Sequence, residues 1–140
     1  MPDRPIPSLP QLGGCQCGAV RYALRNAPLG LWACHCNQCR KQSGSAFGMS
    51  LSVAVDALDI VQGEPAVWTR RTDAGHLTDC LFCAQCGTRI ALRRHEHGGR
   101  MTLKPGTLDD TSWIAPDRHV FTESALDWVT PLLPGDEAGA

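Results

Sequence analysis

The sequence has no surplus of either charge, no long apolar run and no long amphipathic helical pattern. Its 140 residues carry a formal net charge of −1 and a pI near 6.5, which leaves no basic footprint for a nucleic-acid backbone. The basic pairs Arg40-Lys41, Arg70-Arg71 and Arg93-Arg94 are scattered rather than gathered into a run, as on solvated faces. No apolar stretch approaches the roughly eighteen residues that a membrane span needs. Met1 to Gln11 holds four prolines and no apolar stretch of the kind a secretory leader uses. The expectations are therefore a reducing cytoplasm, no nucleic-acid partner, no membrane partner, and thiols rather than disulfides.

Cysteine is what the chain has in excess. Eight occur, at positions 15, 17, 34, 36, 39, 80, 83 and 86, and the Cys-x-Cys and Cys-x-x-Cys spacings among them are those of metal ligands. The tightest group is Cys34-His35-Cys36-Asn37-Gln38-Cys39. Thiols this close cannot bridge one another without strain, because a disulfide needs a defined Cα separation. Aimed at one point, they are what Zn²⁺ accepts. Three thiolates leave one tetrahedral position for water or substrate, whereas structural zinc sites close with four protein ligands.

The remainder reads as short strands punctuated by glycine and proline. Residues 1–12 form a proline-rich arm, 13–130 a single domain, and 131–140 a tail with nothing to bury. Alternation or short apolar runs predict strands over 19–24, 29–33, 46–55, 58–61, 66–72, 76–82, 88–93, 100–104 and 118–121. Asn37 to Ser43 predicts one helical turn ended by Gly44. The fold class is all-β, mainly antiparallel and stapled by metal.

Spacing leaves the division of the thiols undecided. Cys15 and Cys17 with Cys83 and Cys86 make one possible Cys₄ site; Cys36 and Cys39 with the same later pair make another.

Three segments decide between them by resemblance: Gly14-Cys15-Gln16-Cys17-Gly18-Ala19-Val20-Arg21-Tyr22, Cys34 to Gly44, and Phe82-Cys83-Ala84-Gln85-Cys86-Gly87-Thr88. In this order they resemble the signatures of the glutathione-dependent formaldehyde-activating enzyme family, which includes centromere protein V. Pro105-Gly106-Thr107-Leu108-Asp109-Asp110, His119-Val120-Phe121 and Asp127-Trp128-Val129 extend the likeness to most of the chain. The resemblance implies a β-tent, two small sheets joined at a structural zinc held by Cys15, Cys17, Cys83 and Cys86. It implies a second, functional zinc on Cys34, Cys36 and Cys39, expected to be only partly filled. The implied activity is that of a carbon–sulfur lyase joining glutathione, or another small thiol, to an aldehyde; with formaldehyde the product is S-hydroxymethylglutathione. A non-catalytic zinc-stapled interaction module and a zinc or redox buffer are the alternatives.

The other polar residues receive plainer readings. Arg40 and Lys41 follow the cluster and are candidate receivers of substrate carboxylates. Cys80 reads as a buried strand thiol, because strand alternation turns positions 80 and 83 to opposite faces. The alternative is that it reaches the second zinc, and Cys34, Cys36, Cys39 and Cys80 then close a Cys₄ site with no place for substrate. Alternation turns the His35 ring away from the metal. Trp32, Trp68, Trp113 and Trp128 read as core. His76, His95, His97 and His119 lack ligand spacing, and His95-Glu96-His97 reads as a turn.

Overall fold

A computed structural model describes residues 5–133. Ten strands form: β1 (Gln11–Gly14), β2 (Arg21–Leu24), β3 (Gly30–Cys34), β4 (Gly48–Ala54), β5 (Leu58–Gln62), β6 (Ala66–Arg71), β7 (Leu77–Phe82), β8 (Arg89–Arg94), β9 (Arg100–Leu103) and β10 (Arg118–Val120). One α-helix is present among the described residues, α1 (Asn37–Ser43), between β3 and β4. The strands divide into a three-stranded sheet, β1-β2-β5, and a seven-stranded sheet, β10-β3-β4-β9-β8-β7-β6. The fold is mainly antiparallel β in two sheets, as expected, but the sheets are unequal and β10 joins β3 in parallel.

Two expectations need correction. Gln11 and Leu12 pair with Leu24 and Ala23, so they belong to the small sheet rather than to an arm. The Gln11 side chain is buried and accepts a hydrogen bond from Trp113 Nε1 at 3.1 Å. Only Trp113 among the tryptophans is core; Trp68 is 55% exposed and Trp128 62% exposed. Trp68 is on β6, the edge strand of the large sheet, with a strand neighbour on one side only. Of the stretch read as a tail, residues 134–140 lie outside the described residues.

Strand alternation sorts the large sheet into two faces. Leu31 opposes Leu51, which opposes Leu103, which opposes Ala91, and that opposes Leu81. This row meets Tyr22 and Leu24 of the small sheet in one apolar cluster, where each fully buried leucine contributes about 1.5–3 kcal/mol. The next row, Ser52, Thr102, Leu92, Cys80 and Trp68, points the other way. Tyr22 reaches from the small sheet to the Pro105–Thr107 turn, its hydroxyl 2.7 Å from Thr107 Oγ1. Arg21 makes a two-pronged ion pair with Asp109, partly exposed and so worth no more than about 1 kcal/mol.

The Gln11–Trp113 bond offers a test of this packing. Trp113→Phe is expected to destabilise the domain by about 2 kcal/mol, because a buried amide oxygen loses its donor. Urea unfolding of the single variant and of Gln11→Met/Trp113→Phe checks it. The double variant recovers part of the loss if the bond, rather than ring volume, is responsible.

Candidate metal centre and thiol site

Two cysteine groups assemble, and they are divided as the resemblance implies. Cys15, Cys17, Cys83 and Cys86 form one, and Cys34, Cys36 and Cys39 the other; within each, the sulfurs lie within 4.8 Å of one another. Cys36 and Cys39 do not join Cys83 and Cys86, so the alternative ribbon does not form.

The first group joins the two sheets. Cys15 and Cys17 follow β1, and Cys83 and Cys86 sit between β7 and β8. Each pair lies in a tight turn closed by a glycine at positive φ, 83° at Gly18 and 84° at Gly87, a conformation that side chains with a Cβ resist. Backbone bonds from Cys15 N to Val20 O and from Cys83 N to Thr88 O, both 3.0 Å, bring each turn back onto its strand. Gln16 N donates to Thr88 Oγ1 at 3.0 Å and ties the turns together. Cys17 Sγ lies 3.6 Å from Cys15 Sγ and 3.7 Å from Cys83 Sγ. A tetrahedral zinc with bonds of 2.3 Å separates its sulfurs by roughly 3.8 Å, so these thiols fit that ion. A hydrogen bond from the Thr88 hydroxyl brings the Cys86 thiol down to about 5, favouring the thiolate a metal needs.

The second group is local. Cys34 ends β3, Cys36 caps α1 by accepting from Cys39 N at 3.4 Å, and Cys39 lies in the helix. β4 begins with Gly48, which pairs with Cys34. A Cβ on Gly48 would lie 3.1 Å from Cys39 Cβ, 3.2 Å from Cys39 O and 3.5 Å from Lys104 Nζ. The glycine thus lets α1 sit closer to β4 by a few tenths of an ångström, and a branched side chain there would force the helix outward. A hydrogen bond shared with Cys39 draws the Cys34 thiol down to about 6 and drives the Cys39 thiol far up. The trio thus behaves as one unit that readily sheds a proton, as a soft metal site requires.

Gly48→Val is expected to push α1 off β4 and strip this site of metal. Zinc should fall by about one equivalent per chain, while the melting temperature drops by only a few degrees. Elemental analysis beside a thermal scan checks it.

Cys80 stays out of the trio. It shares the outward-facing parity of Trp32 and Cys34, so facing alone does not keep it away. Its strand β7 lies four strand steps from β3, and its sulfur is not among those that lie within 4.8 Å of one another. The Cys80 thiol is buried between its strand neighbours Trp68 and Leu92, and burial raises its pKa.

The chain around the trio adds residues that sequence reading missed. Lys104 directly follows β9 and is 8% exposed, with no hydrogen-bond partner on Nζ. Burial pushes its ammonium below the ordinary range, and the Cys39 thiol opposes that shift. The parallel pairing of β10 with β3 places His119 beside Ala33. His35 is fully buried, and its Nε2 lies 3.0 Å from His119 Nδ1. The Phe47 ring covers it at 5.0 Å. Burial lowers the His35 pKa and His119 adds to the effect, so His35 is a packed neutral ring. Lys41 lines a cavity of about 210 Å³ with Gln38, Trp68, Arg70 and Arg89; Arg40 does not line it. His95 faces Asp79 at 2.8 Å, and His97 Nδ1 accepts from Gly99 N at 2.9 Å, which makes that segment a turn.

Residues 11–124 match the sequence profile of a family described as glutathione-dependent formaldehyde-activating enzyme. The chain belongs to this family. The two cysteine groups of the glutathione-dependent formaldehyde-activating fold, and the strands that hold them, lie inside the matched region. A crystal structure of a Rhodobacter sphaeroides protein, a structural genomics target, shares the fold. It is 20% identical, covers 75% of this chain and 91% of its own, and superposes with a TM-score of 0.58. Among the described residues, no helix is long and apolar enough to cross a membrane.

Proposed function

We propose that this protein is a zinc-dependent enzyme of the carbon–sulfur lyase class. It forms or cleaves the adduct between glutathione, or another small thiol, and an aldehyde such as formaldehyde. One observation carries the reading: in a chain of this family, three thiols converge without a fourth protein ligand among the described residues. The group of four belongs to the architecture and the group of three to the chemistry, because a site with an unused position admits an exchangeable ligand.

Zinc on Cys34, Cys36 and Cys39 would favour the thiolate form of a substrate thiol at neutral pH. The chain's own residues account for the rest. Lys104 stands beside Gly48 and the trio. Its ammonium, which burial disfavours and the thiols favour, is the candidate donor where negative charge develops as sulfur adds to a carbonyl. The His35–His119 pair and Phe47 pack together beside β10 and hold the segment between Cys34 and Cys36 in place. Lys41, with Arg70 and Arg89, supplies the cationic side that suits the carboxylates of a small peptide thiol. Arg40 follows the same cluster and is the second candidate for that role. The chemistry suits a reducing cytoplasm, in which all eight cysteines stay unpaired.

Exchange NMR on a mixture of glutathione and formaldehyde tests this. Protein loaded with two zinc ions is expected to speed interconversion of free thiol and adduct, and protein with the second zinc removed by mild chelation is not. Equal rates with and without the second zinc contradict the proposal.

A further inference from the structure

Between the end of α1 and the Pro105–Thr107 turn lies a cavity of about 350 Å³. Ala46, Phe47, Met49, Pro105 and Gly106 make most of its wall, and Lys104 lines it as well. A buried ammonium with no acceptor is costly to leave unpaired. A Cβ built on Gly48 would lie 3.5 Å from this Nζ and 3.1 Å from Cys39 Cβ, so the lysine that lines the cavity also reaches the trio. Besides Lys104, the polar side chains among its lining residues are Ser43, Ser45 and Thr107. Formaldehyde has two heavy atoms and takes up little more than one water, whose share of liquid volume is roughly 30 Å³. The cavity has room for several times that.

We propose that this cavity receives the aldehyde half of the substrate, that Lys104 holds the carbonyl oxygen, and that the aldehyde carries an apolar carbon chain. The proposal rests on the thiol–aldehyde reading above and narrows its substrate class. In the forward step the thiolate sulfur bonds to the carbonyl carbon, and the π pair of the C=O bond moves to oxygen. The Lys104 ammonium donates a hydrogen bond to that oxygen and remains charged. Water then protonates the oxygen, replacing the proton that the thiol released. Thiol and aldehyde together equal the adduct, and nothing is oxidised or reduced. Reversal breaks the same carbon–sulfur bond.

The test is exchange NMR with glutathione and a series of formaldehyde, propanal and hexanal, on wild type, Lys104→Met and Gly106→Leu. A Cβ on Gly106 would meet nothing within 4 Å, so leucine there fills space rather than displacing backbone. Wild type is expected to gain about two- to fourfold in kcat/KM per added methylene, from the apolar area each buries. Gly106→Leu should lower the hexanal-to-formaldehyde ratio at least tenfold. Lys104→Met should cut the rate with every aldehyde by roughly 100-fold, while calorimetry finds glutathione affinity and zinc content unchanged. Formaldehyde exchange with no chain-length preference, or a ratio that Gly106→Leu leaves alone, overturns this inference and leaves the wider reading standing. Loss of the second zinc in Lys104→Met makes the lysine a counter-charge of the metal and overturns its assignment. Failure of wild type with all three aldehydes overturns both the inference and the reading beneath it.

Discussion

Cys83→Ser is expected to abolish folding. The thiol it removes stands where the turn after β1 meets the turn between β7 and β8, at the junction of the two sheets. Cys17 and Cys83 are 66 positions apart, so a metal across them closes a long loop and removes much of the freedom of the unfolded chain. Structural zinc in small domains contributes about 10–16 kcal/mol of binding free energy. The net stability of a whole domain is about 5–15 kcal/mol. Serine is no substitute for a thiolate on zinc, so the loss is of the same size as the total. The variant should collect in the insoluble fraction, and any soluble part should lack a cooperative melting transition. Soluble Cys83→Ser with the wild-type transition and two zinc ions would contradict the assignment.

Cys36→Ser should have the opposite signature. Cys34, Cys36 and Cys39 lie within one strand end and one helical turn, so their metal closes almost no chain. The melting temperature is expected to fall by no more than a few degrees. Thiol binding should vanish, and exchange should slow by three orders of magnitude or more, roughly 4 kcal/mol in the barrier. Cys80→Ser is the control, because that thiol lies four strands away along the sheet. It should keep both zinc ions and the full rate. Calorimetry with glutathione, thermal scans and elemental analysis on the same three preparations separate these outcomes.

How much of this was legible in the sequence depends on the range of the interaction. Strands and knuckles are local: alternation marked β2 to β10, and paired cysteines beside glycine marked both turns. β1 escaped because a short strand containing two glycines, next to a proline-rich stretch, has no alternation to read. Spacing could not divide the thiols, because the partner of Cys15 and Cys17 is chosen by which hairpin the small sheet meets. The resemblance supplied that choice. The His35–His119 pair, separated by 84 positions, depends on a parallel strand pairing that no local pattern announces. Lys104 was the residue most easily missed, since a lysine after a strand reads as solvated. Its one signal was position: it follows Leu103, which faces the core, and precedes the Pro105-Gly106-Thr107 turn. Trp68, on an edge strand, and Trp128, in a turn after β10, misled in the other direction, because residue type alone does not show what packs around it.

The central claim is that the second site has three protein sulfurs and one exchangeable position. Zinc-edge X-ray absorption on protein carrying two zinc ions, with and without glutathione, tests it most directly. The account predicts fewer than four sulfur neighbours per zinc on average before glutathione, four after it, and the same pair of values for Cys80→Ser. Four protein sulfurs on every zinc without glutathione, with one of them lost in Cys80→Ser, would show a closed site and contradict the account.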